Sequence, residues 1–161
     1  LLVIGIGRQR GEIRMNILFI CTGNTCRSPM AEGYLKDLIG KADRKDIAVL
    51  SAGLMAGNGQ KASVSSLEIL KGQGIDISEH QSRQLVPDFL KASDWILTMT
   101  ESQKMILIAQ FPEESEKIKT LSEFAELEGE IADPFGGDRS QYERAAREIR
   151  VRVEKSWGKI N

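Results

Sequence analysis

The amino-acid sequence predicts one α/β domain, in which a parallel β-sheet is covered by helices on both faces. Short apolar runs that are typical of buried strands alternate with longer runs of helical spacing along most of the chain. Neither a repeat nor a low-complexity linker interrupts this alternation. A length of 161 residues with 41% hydrophobic content is sufficient for one substantial core.

The first fourteen residues do not fit this alternation. Their apolar part is too short to span a bilayer, and their arginines follow the apolar run, whereas a secretory signal places its positive charges before it. Because the strand-like pattern begins at Met15, we expect residues 1–14 to be an N-terminal extension without function and residues 15–161 to be the functional domain. The alternative for this segment is an additional edge strand from Leu1 to Ile6.

The first strand, loop and helix follow one another directly. The apolar run Ile17-Leu18-Phe19-Ile20 is typical of a buried strand and stops at Cys21. A short polar loop then leads to Ser28-Pro29, where a helix would begin, because proline suits the first helical turn. Apolar residues recur at helical spacing from Met30 to Ile39, and Gly40 is a typical helix end.

The same pattern continues to the end of the chain. Three further short strands are predicted at Ile47–Leu50, Trp95–Met99 and Ile118–Leu121. Three further helices are predicted over residues 63–71, 101–110 and 142–157, the last of them long, charged and amphipathic.

Charge and cysteine content exclude several classes of function. Lysine and arginine total 22 against 23 aspartate and glutamate residues, so we expect no nucleic acid and no membrane surface as a partner. Two cysteines and one histidine are too few for a disulfide framework or an ordinary structural zinc site, and we expect no metal or other cofactor. This cysteine content fits a reducing cytoplasm.

The loop after the first strand has the composition of a phosphate site. Five residues separate Cys21 from Arg27, so a loop curled around one centre could direct backbone N–H groups, a guanidinium and a thiolate to one point. The positive end of the following helix would favour both a phosphate dianion and a thiolate. Cys21 would attack phosphorus, and Arg27 would hold two oxygens in the transition state. The alternative is an ordinary buried cysteine at the end of a strand.

Asp133 is the second candidate for chemistry. A carboxylic acid on a loop that faces the nucleophile can protonate the leaving group, which contributes about 10²–10⁴ in rate. Pro134 would stiffen that loop, and the same carboxylate could then activate the water that releases phosphate. The alternative is that Asp133-Pro134 only begins a turn.

The segment Cys21 to Glu32, CTGNTCRSPMAE, resembles the signature loop of the low-molecular-weight protein tyrosine phosphatase family. The resemblance extends over almost all of the chain after Met15 and includes Ser51-Ala52-Gly53 and Asp133-Pro134. It implies a four-stranded, doubly wound parallel sheet of order 2-1-3-4 with the phosphate loop after strand 1. It also implies a cysteine-dependent protein phosphatase that acts on phosphorylated proteins.

The resemblance further implies which residues support catalysis. Residues that match a hydrogen-bond network around the loop are Asn24, Ser28, Ser51 and His80, although His80 could instead be a solvent-facing loop residue. Residues implied in substrate binding are Thr22, Gly23, Asn24, Thr25, Cys26, Ser28 and Phe135.

Cys26 also resembles the family's resolving cysteine. Peroxide would convert a reactive thiolate to sulfenic acid, and a second thiol nearby could trap it as a disulfide, which predicts redox regulation. The alternative is that Cys26 is a small residue that packs the loop.

Substrate preference depends on two positions. The tyrosine-directed members have a bulky aliphatic residue at the position of Thr25 and a pair of aromatic residues after the Asp-Pro. Here the second position is Phe135-Gly136-Gly137, so one aromatic wall is replaced by glycine. This combination resembles the bacterial protein arginine phosphatase branch, and a tyrosine phosphatase is the alternative.

Two other functions are less compatible with the sequence. Arsenate reductases share this fold and loop, but their cycle needs further cysteines, whereas this chain has only Cys21 and Cys26. A phosphate-binding module without turnover would be expected to lack either the nucleophile or the acid, and both are present.

Overall fold

A computed structural model describes residues 13–161. These residues form a four-stranded parallel sheet of order β2-β1-β3-β4, which confirms the predicted fold class and strand order. The strands are β1 (Met15–Cys21), β2 (Ile47–Gly53), β3 (Trp95–Thr98) and β4 (Ile118–Thr120). The two interpretations of the N-terminal extension concern residues that lie largely outside the described part and remain predictions.

Helices cover both faces of the sheet. They are α1 (Arg27–Lys41), α2 (Val64–Gly72), α3 (Pro87–Ala92), α4 (Glu101–Gln110), α5 (Leu121–Phe124) and α6 (Arg139–Ile160), with a 3₁₀ helix at Pro112–Lys117. None of the helices within residues 13–161 is long and apolar enough to cross a membrane.

The central strand β1 explains why both faces need helices. Its side chains alternate between two cores, because successive residues of a strand point to opposite faces. Ile17 and Phe19 lie in the core that α1, α2 and α6 cover, whereas Leu18 and Ile20 lie in the core that α3 and α4 cover. All four side chains are 1% exposed or less, as expected of a strand buried on both faces.

Several predicted boundaries were wrong, and tertiary contacts explain why. β2 continues past Leu50 to Gly53 because β1 pairs with it along seven residues, up to Cys21 opposite Gly53. β4 ends at Thr120 instead of Leu121 because the Thr120 hydroxyl accepts a hydrogen bond from Glu123 N–H and caps α5.

Other helices were longer than predicted or were missed. α6 begins at residue 139 because Asp138 forms a capping box with Gln141, three residues before the predicted start. The short helices α3 and α5 were not predicted, since six and four residues are too few for a clear helical period.

Candidate active site

The candidate site lies at the carboxyl end of β1. Cys21 is the last residue of that strand, and residues 21–28, which we call the Cys21 loop, lead into the N-terminus of α1. This is the edge of a doubly wound sheet where ligands bind, since the strand order reverses beside β1. A cavity of about 350 Å³ opens there, and Asp133 and Phe135 line it together with the Cys21 loop. The structure therefore brings the predicted nucleophile, cation and acid to one cavity.

The Cys21 sulfur is buried and receives two hydrogen bonds. Its Sγ atom lies 2.9 Å from Ser28 Oγ and accepts the Asn24 N–H at 3.2 Å. The Asn24 amide group donates to Ser28 Oγ at 2.8 Å, which leaves the Ser28 hydroxyl proton free to point at the sulfur. These two donors fix the position of the sulfur within the loop.

Asn24 organises the loop from within the protein interior. It has a left-handed backbone (φ 56°) and a fully buried side chain. Its amide nitrogen donates to Ser28 Oγ and, at 2.9 Å, to Ser51 Oγ, while its amide oxygen accepts the Arg83 N–H at 2.9 Å. These bonds hold a backbone conformation that a non-glycine residue rarely adopts. The predicted association of Asn24, Ser28 and Ser51 is present.

His80 is buried behind the loop and does not face solvent. Its Nε2 donates to the Asn24 carbonyl oxygen at 2.7 Å, and its Nδ1 lies 3.6 Å from Glu32 Oε2. Burial by itself would raise the pKa of Glu32, but His80, Lys36 and Arg83 outweigh that effect, so the pKa is lowered. Glu32 is thus a buried carboxylate beside His80, which the sequence did not indicate.

Arg27 joins the Cys21 loop to the segment that carries Asp133. The guanidinium is buried, and its Nη1 donates to the Ile131 carbonyl oxygen at 3.0 Å. Its Nη2 lies 3.4 Å from Asp133 Oδ2. Asp133 Oδ1 also accepts the Phe135 N–H at 3.1 Å, so Asp133 both begins a turn and faces the cavity. The two interpretations of the Asp-Pro pair are therefore compatible.

Thr25 and Phe135 lie at the mouth of the cavity. Thr25 is half-buried, and its backbone carbonyl oxygen accepts the Ser63 N–H at 2.8 Å. Phe135 is 77% exposed, and Gly136 follows it with a left-handed backbone (φ 75°). Met55, which is 81% exposed, also lines the cavity, so its lining includes a hydroxyl, an aromatic ring and an aliphatic side chain.

Cys26 is buried beneath the same loop. Its Sγ atom lies 3.4 Å from the Tyr142 hydroxyl, and burial together with the contact to Cys26 raises the pKa of Tyr142. Both cysteines are free thiols. Burial agrees with a packing role for Cys26, and its role as a resolving cysteine remains a prediction.

Two residues near the Cys21 loop make contacts that were not predicted. A Cβ atom on Gly53 would lie 2.5 Å from the Thr22 carbonyl oxygen, so only glycine fits beside the loop. Gln103 is buried and donates from Nε2 to Thr22 Oγ1 at 3.2 Å, while its Oε1 accepts the N–H groups of Met99 and Thr100. The Thr100-x-x-Gln103 capping box was visible in the sequence, but the contact with Thr22 was not.

The arrangement is suited to phosphoryl transfer through cysteine. A sulfur with two donors, a buried guanidinium and a carboxyl group surround one cavity at a helix N-terminus. Within residues 13–161, no group of three or more histidine, cysteine, aspartate or glutamate side chains is placed to hold a metal ion.

Comparisons with known proteins agree with this geometry. Residues 16–161 match the family described as low molecular weight phosphotyrosine protein phosphatase. A protein-arginine-phosphatase of Geobacillus stearothermophilus is 40% identical over 145 residues, which are 89% of this chain and 95% of the relative.

Solved structures give the same picture. An arginine phosphatase from Geobacillus stearothermophilus superposes with a TM-score of 0.84 at 37% identity. The match covers 91% of this chain and 93% of the arginine phosphatase chain. A low molecular weight protein tyrosine phosphatase from T. tengcongensis superposes with a TM-score of 0.85 at 44% identity. The match covers 91% of this chain and 99% of the tyrosine phosphatase chain.

Proposed function

The chain belongs to the low-molecular-weight phosphotyrosine protein phosphatase family, and from this premise we propose that it hydrolyses phosphoarginine on proteins. It is a cysteine-dependent protein phosphatase.

The first step is attack of the Cys21 thiolate on phosphorus. The sulfur–phosphorus bond forms as the phosphorus–nitrogen bond of phosphoarginine breaks, and the Cys21 loop and Arg27 hold the phosphoryl oxygens. Asp133, 3.4 Å from Arg27, donates its proton to the departing nitrogen. The products of this step are free arginine side chain and a cysteinyl-phosphate.

The second step is attack of water on that intermediate. Asp133, now a carboxylate, accepts a proton from the water, and the sulfur–phosphorus bond breaks to release phosphate. The Ser28 hydroxyl, 2.9 Å from Cys21 Sγ, stabilises the thiolate as it leaves. The site then returns to its initial state.

The choice of phosphoarginine as the substrate rests mainly on Thr25. It is a polar residue on the wall of the cavity, where the group bonded to phosphorus must enter, and the residue after Phe135 is a glycine and not a second aromatic residue. A guanidinium is planar and rich in N–H donors, so a hydroxyl and one aromatic wall suit it better than two aromatic walls. Relatives named protein-arginine-phosphatase from two organisms support the same choice.

Phosphotyrosine is the second candidate substrate. Phe135 presents an exposed ring at the cavity, against which a phenyl group could stack. The protein from T. tengcongensis, at 44% identity, is named a low molecular weight protein tyrosine phosphatase.

Kinetics on paired substrates test the proposal. The kcat/KM values for phosphoarginine, phosphotyrosine and a simple aryl phosphate are measured for the wild type, Thr25→Ile and Thr25→Val. Loss of a polar contact in a desolvated site costs about 1–3 kcal/mol, so both variants should lower kcat/KM for phosphoarginine by about 5–150-fold. Phosphotyrosine should be unaffected or improved, because it presents an apolar ring there.

The two variants distinguish the effect of losing the Thr25 hydroxyl from the effect of a larger side chain. Thr25→Val keeps the shape of the side chain and removes only the hydroxyl, whereas Thr25→Ile also adds a methylene group. Two results would assign phosphotyrosine as the substrate in place of phosphoarginine. One is a wild-type enzyme with a higher kcat/KM for phosphotyrosine, and the other is an equal loss of kcat/KM for both substrates in the variants.

A further inference from the structure

A second cavity opens beside the catalytic one. It has a volume of about 480 Å³ and shares Thr22, Arg27, Met55 and Asp133 with the catalytic cavity. Four shared residues make the two cavities one continuous surface. A protein segment whose phosphorylated residue occupies the first cavity must therefore pass the second with its neighbouring residues or turn away from it.

Apolar and uncharged polar side chains line this second cavity, which we call the flanking groove. Besides the four shared residues, it is lined by Leu54, Thr100, Ser102, Gln103, Ile106 and Gln110. Met55 is 81% exposed and Ile106 46%, so the groove offers aliphatic surface to solvent. Exposed aliphatic surface next to a catalytic cavity favours contact with an apolar group of the substrate.

The charges that line the flanking groove indicate which kind of substrate side chain can bind there. Among the described residues that line it, the ionisable side chains are Arg27 and Asp133, and the proposed mechanism uses both for the phosphoryl group. A charged side chain in the groove would lose water without gaining a partner. An aliphatic side chain would instead bury its surface against Leu54, Met55 and Ile106.

The groove walls are fixed relative to the nucleophile. Leu54 N–H donates to the Cys21 carbonyl oxygen at 3.0 Å, and Met55 N–H donates to the Thr22 carbonyl oxygen at 2.9 Å. Gln84 Nε2 donates to the Leu54 carbonyl oxygen at 2.8 Å, which holds this wall from the other side.

The opposite wall is a face of helix α4. Residues 102, 106 and 110 are spaced by four and lie on the same side of that helix. Gln103 ties the beginning of α4 to Thr22, so this wall is also anchored to the Cys21 loop. A groove with both walls anchored is formed before a substrate binds, which lowers the entropy cost of binding.

We propose that the flanking groove binds an aliphatic side chain adjacent to the phosphorylated residue of the substrate protein. The inference rests on the proposed function only in that the substrate is a phosphorylated protein, and it applies to phosphoarginine and phosphotyrosine alike. The continuity of the two cavities selects this occupant over a partner unrelated to catalysis. The enzyme should therefore prefer sites with leucine, isoleucine or valine beside the phosphorylated residue.

Short phosphopeptides in matched sets test this preference. Each set has a central phosphoarginine or phosphotyrosine, with glycine on both sides, leucine only before it, or leucine only after it. The measured quantity is the ratio of kcat/KM for each leucine peptide to kcat/KM for the glycine peptide. Half-burial of a leucine side chain should give a ratio of about 3–10 for one of the two leucine positions.

Two variants locate the effect on the molecule. Ile106→Ser removes the aliphatic wall of α4 and should bring the ratio close to 1. Met105→Ser is the matched control, because Met105 is 56% exposed on the same helix and is not among the groove residues. It should keep the wild-type ratio, and thermal unfolding of both variants checks that the helix is intact.

Failure of this inference differs from failure of the proposed function. If the enzyme hydrolyses only the phosphotyrosine set, the substrate proposal fails, and the leucine ratio is still measured on that set. A wild-type ratio near 1 at both leucine positions, or an equal loss of the ratio in both variants, overturns the inference. A ratio near 1 together with self-association that Ile106→Ser abolishes would assign the groove to a second copy of the chain.

Discussion

The two segments that face the catalytic cavity are built in opposite ways. In the Cys21 loop, Cys21, Asn24, Cys26, Arg27 and Ser28 are all buried. Hydrogen bonds join Cys21, Asn24 and Ser28 to one another, and Arg27 donates to the Ile131 carbonyl oxygen. In residues 131–138, which we call the Asp133 loop, only Ile131 and Pro134 are buried. The phosphate end of the site is thus preorganised, whereas the end that meets the leaving group is open.

This difference separates shared chemistry from substrate choice. A phosphoryl group needs donors held in one geometry, because reorientation of donors during the reaction would cost free energy. The leaving group differs between substrates, and an exposed loop can change its side chains without disturbing the core. Substitutions of the buried residues of the Cys21 loop should therefore affect all substrates, whereas substitutions of the half-buried Thr25 or of residues in the Asp133 loop should affect them selectively.

The largest effect is expected for Cys21→Ser. A serine hydroxyl is scarcely ionised at neutral pH, so turnover of every substrate should fall by at least about 10⁴-fold. Phosphate release is the measurement, and circular dichroism checks that the fold is kept. Activity within tenfold of the wild type would remove Cys21 from the role of nucleophile.

Asp133→Asn should have a large but selective effect. On an aryl phosphate whose leaving group has a high pKa, kcat should fall by about 10²–10⁴-fold. The loss should be smaller on phosphoarginine, because its departing nitrogen is basic and takes up a proton readily.

Asp138→Asn is the matched control for that substitution. Asp138 belongs to the same loop and caps α6, and asparagine caps helices about as well as aspartate. Its activity should be close to that of the wild type on both substrates. An unchanged aryl phosphate rate in Asp133→Asn, or an equal loss in both variants, would exclude Asp133 as the acid.

Gly53→Ala tests whether the Cys21 loop depends on its neighbour in β2. The added Cβ would lie 2.5 Å from the Thr22 carbonyl oxygen and 2.8 Å from Ala56 Cβ. The Cys21 loop or the backbone at Ala56 would therefore have to move. Overpacking of this kind costs about 1–3 kcal/mol of stability. Displacement of the loop should also lower kcat by about 10–100-fold on all substrates.

Gly40→Ala provides the comparison for Gly53→Ala. A Cβ on Gly40 meets nothing within 4 Å, and the residue lies in helix α1. It should stabilise the protein by about 0.5–1 kcal/mol in urea unfolding and leave activity unchanged. Similar stability and activity in the two variants would show that the loop does not need glycine at residue 53.

The smallest effect concerns Glu32, which supports the loop through His80. Because the folded protein lowers the pKa of Glu32 from its ordinary value of 4.5, its contribution to stability is present above that pH and is lost as the pH falls through the lowered pKa. Glu32→Gln should therefore be less stable than the wild type at pH 7, and the difference should narrow in acid.

Urea unfolding at a series of pH values measures this difference. Glu68→Gln serves as the control, because Glu68 pairs with Arg139 on the surface, where such pairs contribute little. A difference for Glu32→Gln that does not depend on pH would mean that its carboxylate charge does not stabilise the fold.

The sequence by itself determined the features that contiguous residues encode. The alternation of strand and helix predicted the parallel sheet, and the spacing from Cys21 to Ser28 predicted the loop, because eight consecutive residues suffice to form it. The strand order came from the resemblance of those motifs to a family. Helix α4 was predicted at its observed bounds, 101–110, since its period and its breaker Pro112 are both local.

The resemblance implied that Ser51 and His80 support that loop, but only the tertiary structure decided which atoms make the contacts and which further residues take part. His80 contacts Asn24 across 56 residues and Gln103 contacts Thr22 across 81, and the buried Glu32 lies beside His80. The flanking groove likewise combines residues of the Cys21 loop, residues 54–55, residues within 100–110 and Asp133. Such contacts depend on how the chain crosses between strands, and the period of a strand or helix carries no information about which side chains will then meet.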